Sequence, residues 1–258
     1  MTSDSVAFLA FALLGLAVGS FLNVCIHRVP RGGSIASPPS QCPGCGYRLR
    51  WYDNVPVFSY AALRGRCRQC RTPISARYPI VEIMTMLLFV LHLYVFGWTM
   101  LMGVRVIFAC MLVVLFAIDL EHHLLPNVVT LPGIAVGLAA SLALPPGIAD
   151  ALIGTVVGGG VLWAIGEAYY RYAGQEGMGG GDVKMLAMVG AFLGWKLVLV
   201  TLVLSSVAGA AIGLLVIAMR RGSMKHELPY GTFLALGALV ASIAGDQIVA
   251  WYLGMYEF

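Results

Sequence analysis

Residues 101–127 read LMGVRVIFACMLVVLFAIDLEHHLLPN, an apolar run that ends at Asp119. The run is close to the roughly 20 residues that an α-helix needs to cross a membrane. A carboxylate at the edge of such a helix is energetically costly and by default indicates function. A second case is GMGGGDVKM (177–185), where Asp182 follows three glycines and precedes another apolar run. The two stretches predict a polytopic membrane protein with a functional pair of aspartates.

The composition of the whole chain supports a membrane fold. Of 258 residues, 60% are hydrophobic and only 11% are charged, whereas about a quarter of a soluble protein is charged. We therefore expect an all-α polytopic protein with about eight transmembrane helices. Seven is the alternative, because the sixth segment is short and its boundary with the seventh is indistinct. The predicted segments are 5–26, 79–97, 101–119, 128–144, 149–170, 183–196, 197–219 and 229–252.

The distribution of basic residues predicts the orientation of the chain. Nine of the sixteen Lys and Arg residues lie in the stretch 27–78, and an excess of Lys and Arg is typical of cytoplasmic loops. If the stretch 27–78 is cytoplasmic and the chain crosses the membrane eight times, both termini lie outside. Asp119 and Asp182 then both lie at the cytoplasmic face. Arg220, Arg221 and Lys225 then lie inside as well. The net charge of +4 follows from this bias, so no nucleic-acid partner is inferred.

Four cysteines in the stretch 27–78 form two pairs, CPGC (42–45) and CRQC (67–70). This pattern is typical of a tetrahedral structural zinc site with Cys42, Cys45, Cys67 and Cys70 as ligands. Two disulfides are the alternative, which a reducing cytoplasm disfavours. We expect three domains: the first helix (1–26), the cytoplasmic zinc domain (27–78) and a transmembrane domain (79–258).

Each aspartate also has a purely structural interpretation. Asp182 precedes an apolar helix and could be its N-cap, although a cap does not require three glycines. Gly179, Gly180 and Gly181 permit close backbone approach, and the stretch 177–181 is predicted to be a hinge that admits an extended substrate. Asp119 could simply face cytoplasmic water, although the dipole at a helix C-terminus disfavours its charge.

Two carboxylates held close together share one proton. In that arrangement one carboxylate activates water while the protonated one polarises a peptide carbonyl. The residues alone leave other functions open: an ion-coupled transporter would also use intramembrane acids, and a scaffold protein would need only the zinc domain. A transporter would place its acids near the midplane and contain inverted repeats, and neither is visible here.

At this point the chain resembles the type IV prepilin peptidases, membrane aspartic peptidases with a GxGD signature. The resemblance rests on GSFLNVCIHRVPRG (19–32), the cysteine stretch, AIDLEHHLLPN (117–127) and GMGGGDVKMLAMVGAFLGW (177–195), in this order. One departure is Asn127, where the family often has Asp. The resemblance implies that Asp119 and Asp182 are the catalytic pair of a bacterial inner-membrane enzyme.

The resemblance also implies the substrates and a second activity. Such enzymes remove the short basic leader from type IV prepilins or type II secretion pseudopilins at the cytoplasmic membrane face. Many then methylate the new N-terminus with S-adenosylmethionine; a peptidase without methyl transfer is the alternative. No cofactor motif is visible in this sequence. Arg77 and Glu82 in ISARYPIVE (74–82) are the polar residues to test for the cofactor, although both could be ordinary interfacial residues.

Overall fold

The protein is helical throughout most of the residues that the computed structural model describes, which are 3–175, 179–219 and 229–255. Cα packing separates two compact units, Met1–Met102 and Gly103–Phe258. Within the described ranges the helices are α1 (Ser3–Arg28), α2 (Phe58–Ala62), α3 (Arg77–Phe96), α4 (Met100–His122), α5 (Asn127–Ala140), α6 (Ile148–Ala173), α7 (Gly180–Met219) and α8 (Tyr230–Gly254).

In the first unit, two long helices pack closely because α1 presents glycine to α3. A Cβ atom at Gly15 would lie 2.7 Å from Met86 Cα, and one at Gly19 would lie 2.7 Å from Glu82 Cα. The reversed order of the contacts shows that α1 and α3 are antiparallel. The chain between them contains α2 and 3₁₀ turns at Val29–Arg31 and Trp51–Asn54.

In the second unit, α7 lies against α6, α8 and the shorter α5. A Cβ atom at Gly154 of α6 would lie 2.6 Å from the Gly190 carbonyl oxygen of α7, so these helix backbones also approach closely. The buried core includes Phe108 of α4, whose ring stacks on Phe192 of α7 with centroids 4.6 Å apart.

Helix α7 is interrupted at Gly194. This residue has φ 79° and ψ 170°, which are not helical values, and its missing Cβ would lie 3.0 Å from Pro146 Cβ. Glycine is suited to this position because other residues rarely adopt such a φ. The predicted boundary between residues 196 and 197 lies two residues beyond this break, so α7 contains both predicted segments.

Six helices among the described residues are long and apolar enough to cross a membrane, namely α1, α3, α4, α6, α7 and α8. The segment predicted at 128–144 is the shorter helix α5. All eight predicted apolar segments therefore fall on helices, and the prediction of an all-α polytopic membrane protein is confirmed. Arg220, Arg221 and Lys225 lie outside the described residues.

Candidate active site and cysteine cluster

Asp119 lies near the cytoplasmic end predicted for α4, and its side chain is held by the first turn of α8. The residue is only 5% exposed. Its Oδ2 accepts hydrogen bonds from the Thr232 backbone N–H at 2.6 Å and from the Thr232 hydroxyl at 3.0 Å. Thr232 is the third residue of α8, where backbone N–H groups have no partner within their own helix. The aspartate therefore satisfies a helix start that belongs to another part of the chain.

Only one oxygen of this carboxylate is used in that contact. Within residues 3–175, 179–219 and 229–255, Oδ1 of Asp119 accepts no hydrogen bond from the protein. The positive end of the α8 dipole also stabilises negative charge at this position. Asp119 thus has a fixed orientation and a free oxygen.

Gly231 allows α8 to come this close to Asp119. A Cβ atom at position 231 would lie 2.9 Å from Asp119 Oδ2 and 2.8 Å from Leu125 Cδ1. Both distances are shorter than an ordinary van der Waals contact of a carbon atom with an oxygen or with another carbon. A side chain at this position would have to displace the aspartate or the leucine.

Asp182 is in the first turn of α7 rather than directly before the helix. The helix begins at Gly180, so the interpretation of Asp182 as the N-cap is wrong: the residue is third in the helix. Its carboxylate accepts the backbone N–H of Gly179. A side chain that reaches back in this way satisfies one of the free N–H groups at the helix start.

Leu125 connects the surroundings of the two aspartates. A Cβ atom at Gly181, next to Asp182, would lie 2.8 Å from Leu125 Cβ, and the Leu125 Cδ1 atom faces Gly231 beside Asp119. The charge of Asp119 acts electrostatically on Asp182. The structure therefore brings together two aspartates with 62 residues between them in the sequence, with a buried leucine packed beside both helix starts.

Asn127, where the family often has Asp, links the two aspartate motifs through a hydrogen bond. The Nζ atom of Lys184 donates a hydrogen bond to Oδ1 of Asn127 at 2.9 Å. Asn127 is the first residue of α5, and Lys184 lies two residues after Asp182. An aspartate at position 127 would turn this hydrogen bond into an ion pair.

The predicted hinge is described only in part. Gly179, Gly180 and Gly181 are placed, and Gly180 has open space around its missing Cβ, whereas residues 177 and 178 lie outside the described residues. Gly181 is packed against Leu125. Any movement of this turn would therefore involve the leucine as well.

Sequence reasoning missed Leu125, Gly231 and Thr232. For Thr232 a weak signal was present, because Pro229 and a hydroxyl residue near it are typical of a helix start. That signal indicates where α8 begins and does not indicate that an aspartate of α4 would be its partner.

The four predicted metal ligands meet in the first unit. The sulfur atoms of Cys42, Cys45, Cys67 and Cys70 all lie within 4.8 Å of one another, and no disulfide joins them. Cys42 Sγ and Cys70 Sγ are 3.7 Å apart, and sulfurs about 2.3 Å from one tetrahedral ion lie roughly 3.8 Å apart. The arrangement fits a metal ion with four thiolate ligands.

Each cysteine pair is on a tight backbone turn. The first is closed by the Cys42 N–H donating to the Tyr47 carbonyl at 2.9 Å, and the second by the Cys67 N–H donating to the Thr72 carbonyl at 2.9 Å. Hydrogen bonds from the Thr72 hydroxyl and its backbone lower the pKa of the Cys70 thiol to about 6. A thiolate is the form that binds metal.

Asp53 also joins the two turns. Its carboxylate accepts hydrogen bonds from Arg68 Nε at 2.7 Å in the second turn and from the Tyr47 hydroxyl at 3.1 Å beside the first. Burial alone raises the pKa of Asp53, but the hydrogen bonds from Arg68, the Arg50 backbone and Tyr47 keep it below its ordinary value. The ionised carboxylate therefore holds the cysteine turns together at neutral pH.

A cavity of about 690 Å³ lies in the same unit, and both predicted cofactor residues, Arg77 and Glu82, line it. This volume is within the usual range of roughly 300–1,000 Å³ for small-molecule sites. Asn23 also lines the cavity and is 2% exposed; its amide donates to the Tyr78 carbonyl at 3.0 Å, and its buried Oδ1 has no partner among the described residues. Glu82 accepts the Val57 N–H at 2.7 Å. The cavity thus offers a carboxylate, a guanidinium and an unsatisfied acceptor to a polar ligand.

The fold and the two groups of residues define a class of protein: a helical membrane protein with two neighbouring aspartates at helix ends and a four-cysteine domain. The model of the bacterial peptidase A24 N-terminal domain matches residues 13–96, and that of the type IV leader peptidase family matches residues 106–214. This chain belongs to the type IV leader peptidase family. No solved structure matches it.

Several similar proteins carry the name prepilin leader peptidase/N-methyltransferase. The one from Pseudomonas aeruginosa is 37% identical, with 100% of this chain and 98% of that protein covered. The one from Stutzerimonas stutzeri is 38% identical, with 98% and 96% covered. The one from Myxococcus xanthus is 45% identical, with 80% and 62% covered. The predicted family and the predicted kind of enzyme, a peptidase with methyltransferase activity, are confirmed.

Proposed function

We propose that this enzyme removes the basic leader from type IV prepilins or type II secretion pseudopilins at the cytoplasmic face of the bacterial inner membrane. The observation that carries the proposal is the approach of Asp119 and Asp182 around Leu125. Its family membership and the names of its relatives support the substrate class.

In the mechanism that we infer, the two aspartates share one proton. Thr232 and the α8 N-terminus stabilise charge on Asp119, so Asp119 is the ionised partner and takes a proton from the attacking water. Asp182 carries the shared proton and donates it toward the oxygen of the scissile carbonyl. The tetrahedral intermediate then breaks at the C–N bond, and the new amine leaves with a proton from the pair. No acyl-enzyme forms.

The first experiment tests the aspartate pair. Purified enzyme in lipid is mixed with a prepilin, and the product mass is measured for Asp119→Asn, Asp182→Asn and the control Glu121→Gln. Glu121 is exposed and lies two residues from Asp119, so its variant should retain cleavage while both Asn variants lose it. Leader removal by a folded Asn variant would contradict the peptidase assignment, and the transporter alternative predicts no cleavage by any of the proteins.

We propose that S-adenosylmethionine binds in the 690 Å³ cavity, where it would supply the methyl group for the new N-terminal amine. Glu82 would accept hydrogen bonds from the cofactor's hydroxyl or amino groups, and Arg77 would bind its carboxylate. The unpartnered Asn23 Oδ1 would accept one further donor. Calorimetry with S-adenosylmethionine should show binding to the wild type, and its absence under conditions where cleavage persists would contradict this site.

We propose that the four cysteines hold structural zinc. Four protein ligands leave no position open for a substrate or water, so zinc would stabilise the 27–78 domain rather than take part in catalysis. Metal analysis of Cys42→Ser, with Cys25→Ser outside the cluster as the control, should show loss of about one zinc per chain only in the first. The domain boundaries at residues 26 and 78 and the outside position of both termini stay predictions.

A further inference from the structure

Exposed aromatic side chains cluster in residues 51–62 of the cysteine domain, which we call the aromatic segment. It comprises the 3₁₀ turn Trp51–Asn54, a short connection and α2. Trp51 is 82% exposed and Phe58 is 65% exposed, and Val55 between them is 36% exposed. Large apolar side chains exposed together on a small domain indicate a contact surface.

The aromatic segment is attached to the end of a membrane-spanning helix. The backbone N–H of Val57 donates to Oε2 of Glu82 at 2.7 Å, and Glu82 is in the second turn of α3. Val57 has φ 60°, a value that is unusual for a β-branched residue and that persists only where the surroundings hold it. The connection between Trp51 and Phe58 is therefore fixed beside the first two turns of α3, at the start of a helix that is long and apolar enough to cross a membrane.

The exposed charged side chains in residues 27–78 are all basic. Arg50 directly precedes the aromatic segment and Arg64 follows α2, and both are exposed. Asp53 is the one acid in the sequence 27–78, and it is buried and bonded to Arg68. The surface therefore carries guanidinium groups beside aromatic rings, and the two carboxylates bonded to this part of the domain, Asp53 and Glu82, are buried.

We propose that the aromatic segment is a membrane-interface anchor, with Trp51 and Phe58 among the lipid headgroups of the bilayer that α1 and α3 cross. Aromatic rings favour this depth because they are apolar with polar edges, and arginines next to the membrane bind anionic lipids. The tether to α3 keeps the segment at the bilayer surface, and the positive charge suits phosphate groups. A basic peptide would be repelled by the same surface.

The depth of Trp51 is measured in nanodiscs that contain anionic phosphatidylglycerol, with and without brominated acyl chains. The emission of Trp51 is obtained as the difference between the wild type and Trp51→Phe. We expect brominated lipid to quench this difference signal and aqueous iodide to quench it little. Trp163 provides the control for a tryptophan in contact with lipid, because it is 62% exposed on the predicted spanning helix α6. Its emission is obtained in the same way, as the difference between the wild type and Trp163→Phe, and brominated lipid should quench it.

A second pair of measurements tests the role of charge. In an Arg50→Glu, Arg64→Glu double variant, or in discs of neutral lipid alone, iodide should reach Trp51 more readily than in the wild type in anionic discs. Unchanged metal content and leader cleavage would show that the variant is folded. The proposal is overturned if iodide quenches Trp51 fully in anionic discs and brominated lipid has no effect. It is also overturned if Trp51 becomes protected only after prepilin is added, because the surface would then bind substrate.

Discussion

Replacement of Gly231 by alanine tests whether the approach of α8 to Asp119 positions the proposed catalytic pair. The added methyl carbon would lie 2.9 Å from Asp119 Oδ2, 3.0 Å from its Cγ and 2.8 Å from Leu125 Cδ1. Because ordinary contacts between such atoms are about 3.5–4.0 Å, the carboxylate, the leucine or the helix start must move by roughly 0.5–1 Å. The substitution should therefore alter the geometry of the dyad.

The magnitude of the effect follows from these distances. Overpacking of this kind costs about 1–3 kcal/mol of stability, which is less than the roughly 5–15 kcal/mol that separates a typical folded protein from its unfolded state. A displacement of about 1 Å in a catalytic group can lower the rate roughly 100-fold. We therefore expect Gly231→Ala to remain folded and to cleave prepilin about 100 times more slowly.

The assay is the initial rate of leader removal in lipid, followed by mass spectrometry, together with a thermal unfolding curve. Gly160→Ala is the matched control, because position 160 in α6 has open space around its missing Cβ. It should keep its rate and gain up to about 1 kcal/mol from the lower flexibility of alanine in a helix. A normal rate in a folded Gly231→Ala enzyme would refute the positioning of Asp119 by α8.

Three further substitutions test other contacts. Thr232→Val removes the hydroxyl that donates to Asp119 but keeps the backbone donor. A hydrogen bond to a charged group is worth about 1.5–3 kcal/mol, so cleavage should slow roughly tenfold or more. An unchanged rate would contradict a role of the Thr232 hydroxyl in catalysis. Glu82→Gln should leave cleavage intact and reduce methylation, seen as a product that lacks the added methyl mass; equal methylation would contradict the cofactor site. Asn127→Asp should raise the unfolding free energy by less than about 1 kcal/mol through an ion pair with Lys184, and high salt should abolish the gain; a lower melting temperature would contradict this.

The sequence was informative where function depends on residues close together in the chain. The pair CPGC and CRQC indicated a four-thiolate cluster, because each turn carries two ligands in four residues. The apolar runs indicated the helices, because a membrane requires long segments with satisfied backbone hydrogen bonds. Asp119 and Asp182 were conspicuous because charge is rare at such positions.

The partners of these residues could not be predicted from the sequence for the same physical reason. Thr232 is 113 residues from Asp119, and nothing in a local pattern shows which helix start will meet which carboxylate. Leu125 looked like one more apolar residue, and its position between two glycines depends on how α7 and α8 pack. The boundary predicted between residues 196 and 197 lay within two residues of the break at Gly194, but hydropathy does not show that the two segments are joined by a kink rather than by a loop.

Asp53 has a consequence for how readily the cysteine domain would bind a metal ion. The chain between Cys45 and Cys67 must close a loop before all four sulfurs can share one ion, and closing a loop costs entropy. The hydrogen bonds that Tyr47 and Arg68 donate to the Asp53 carboxylate tie the two ends of that loop to one residue. They therefore offset part of the closure entropy and raise the effective concentration of the sulfurs around one point. We expect a chain with Asp53 to collect its metal ion at a lower free concentration than an Asp53→Ala variant, because contacts within the protein supply part of the ordering that four ligands require.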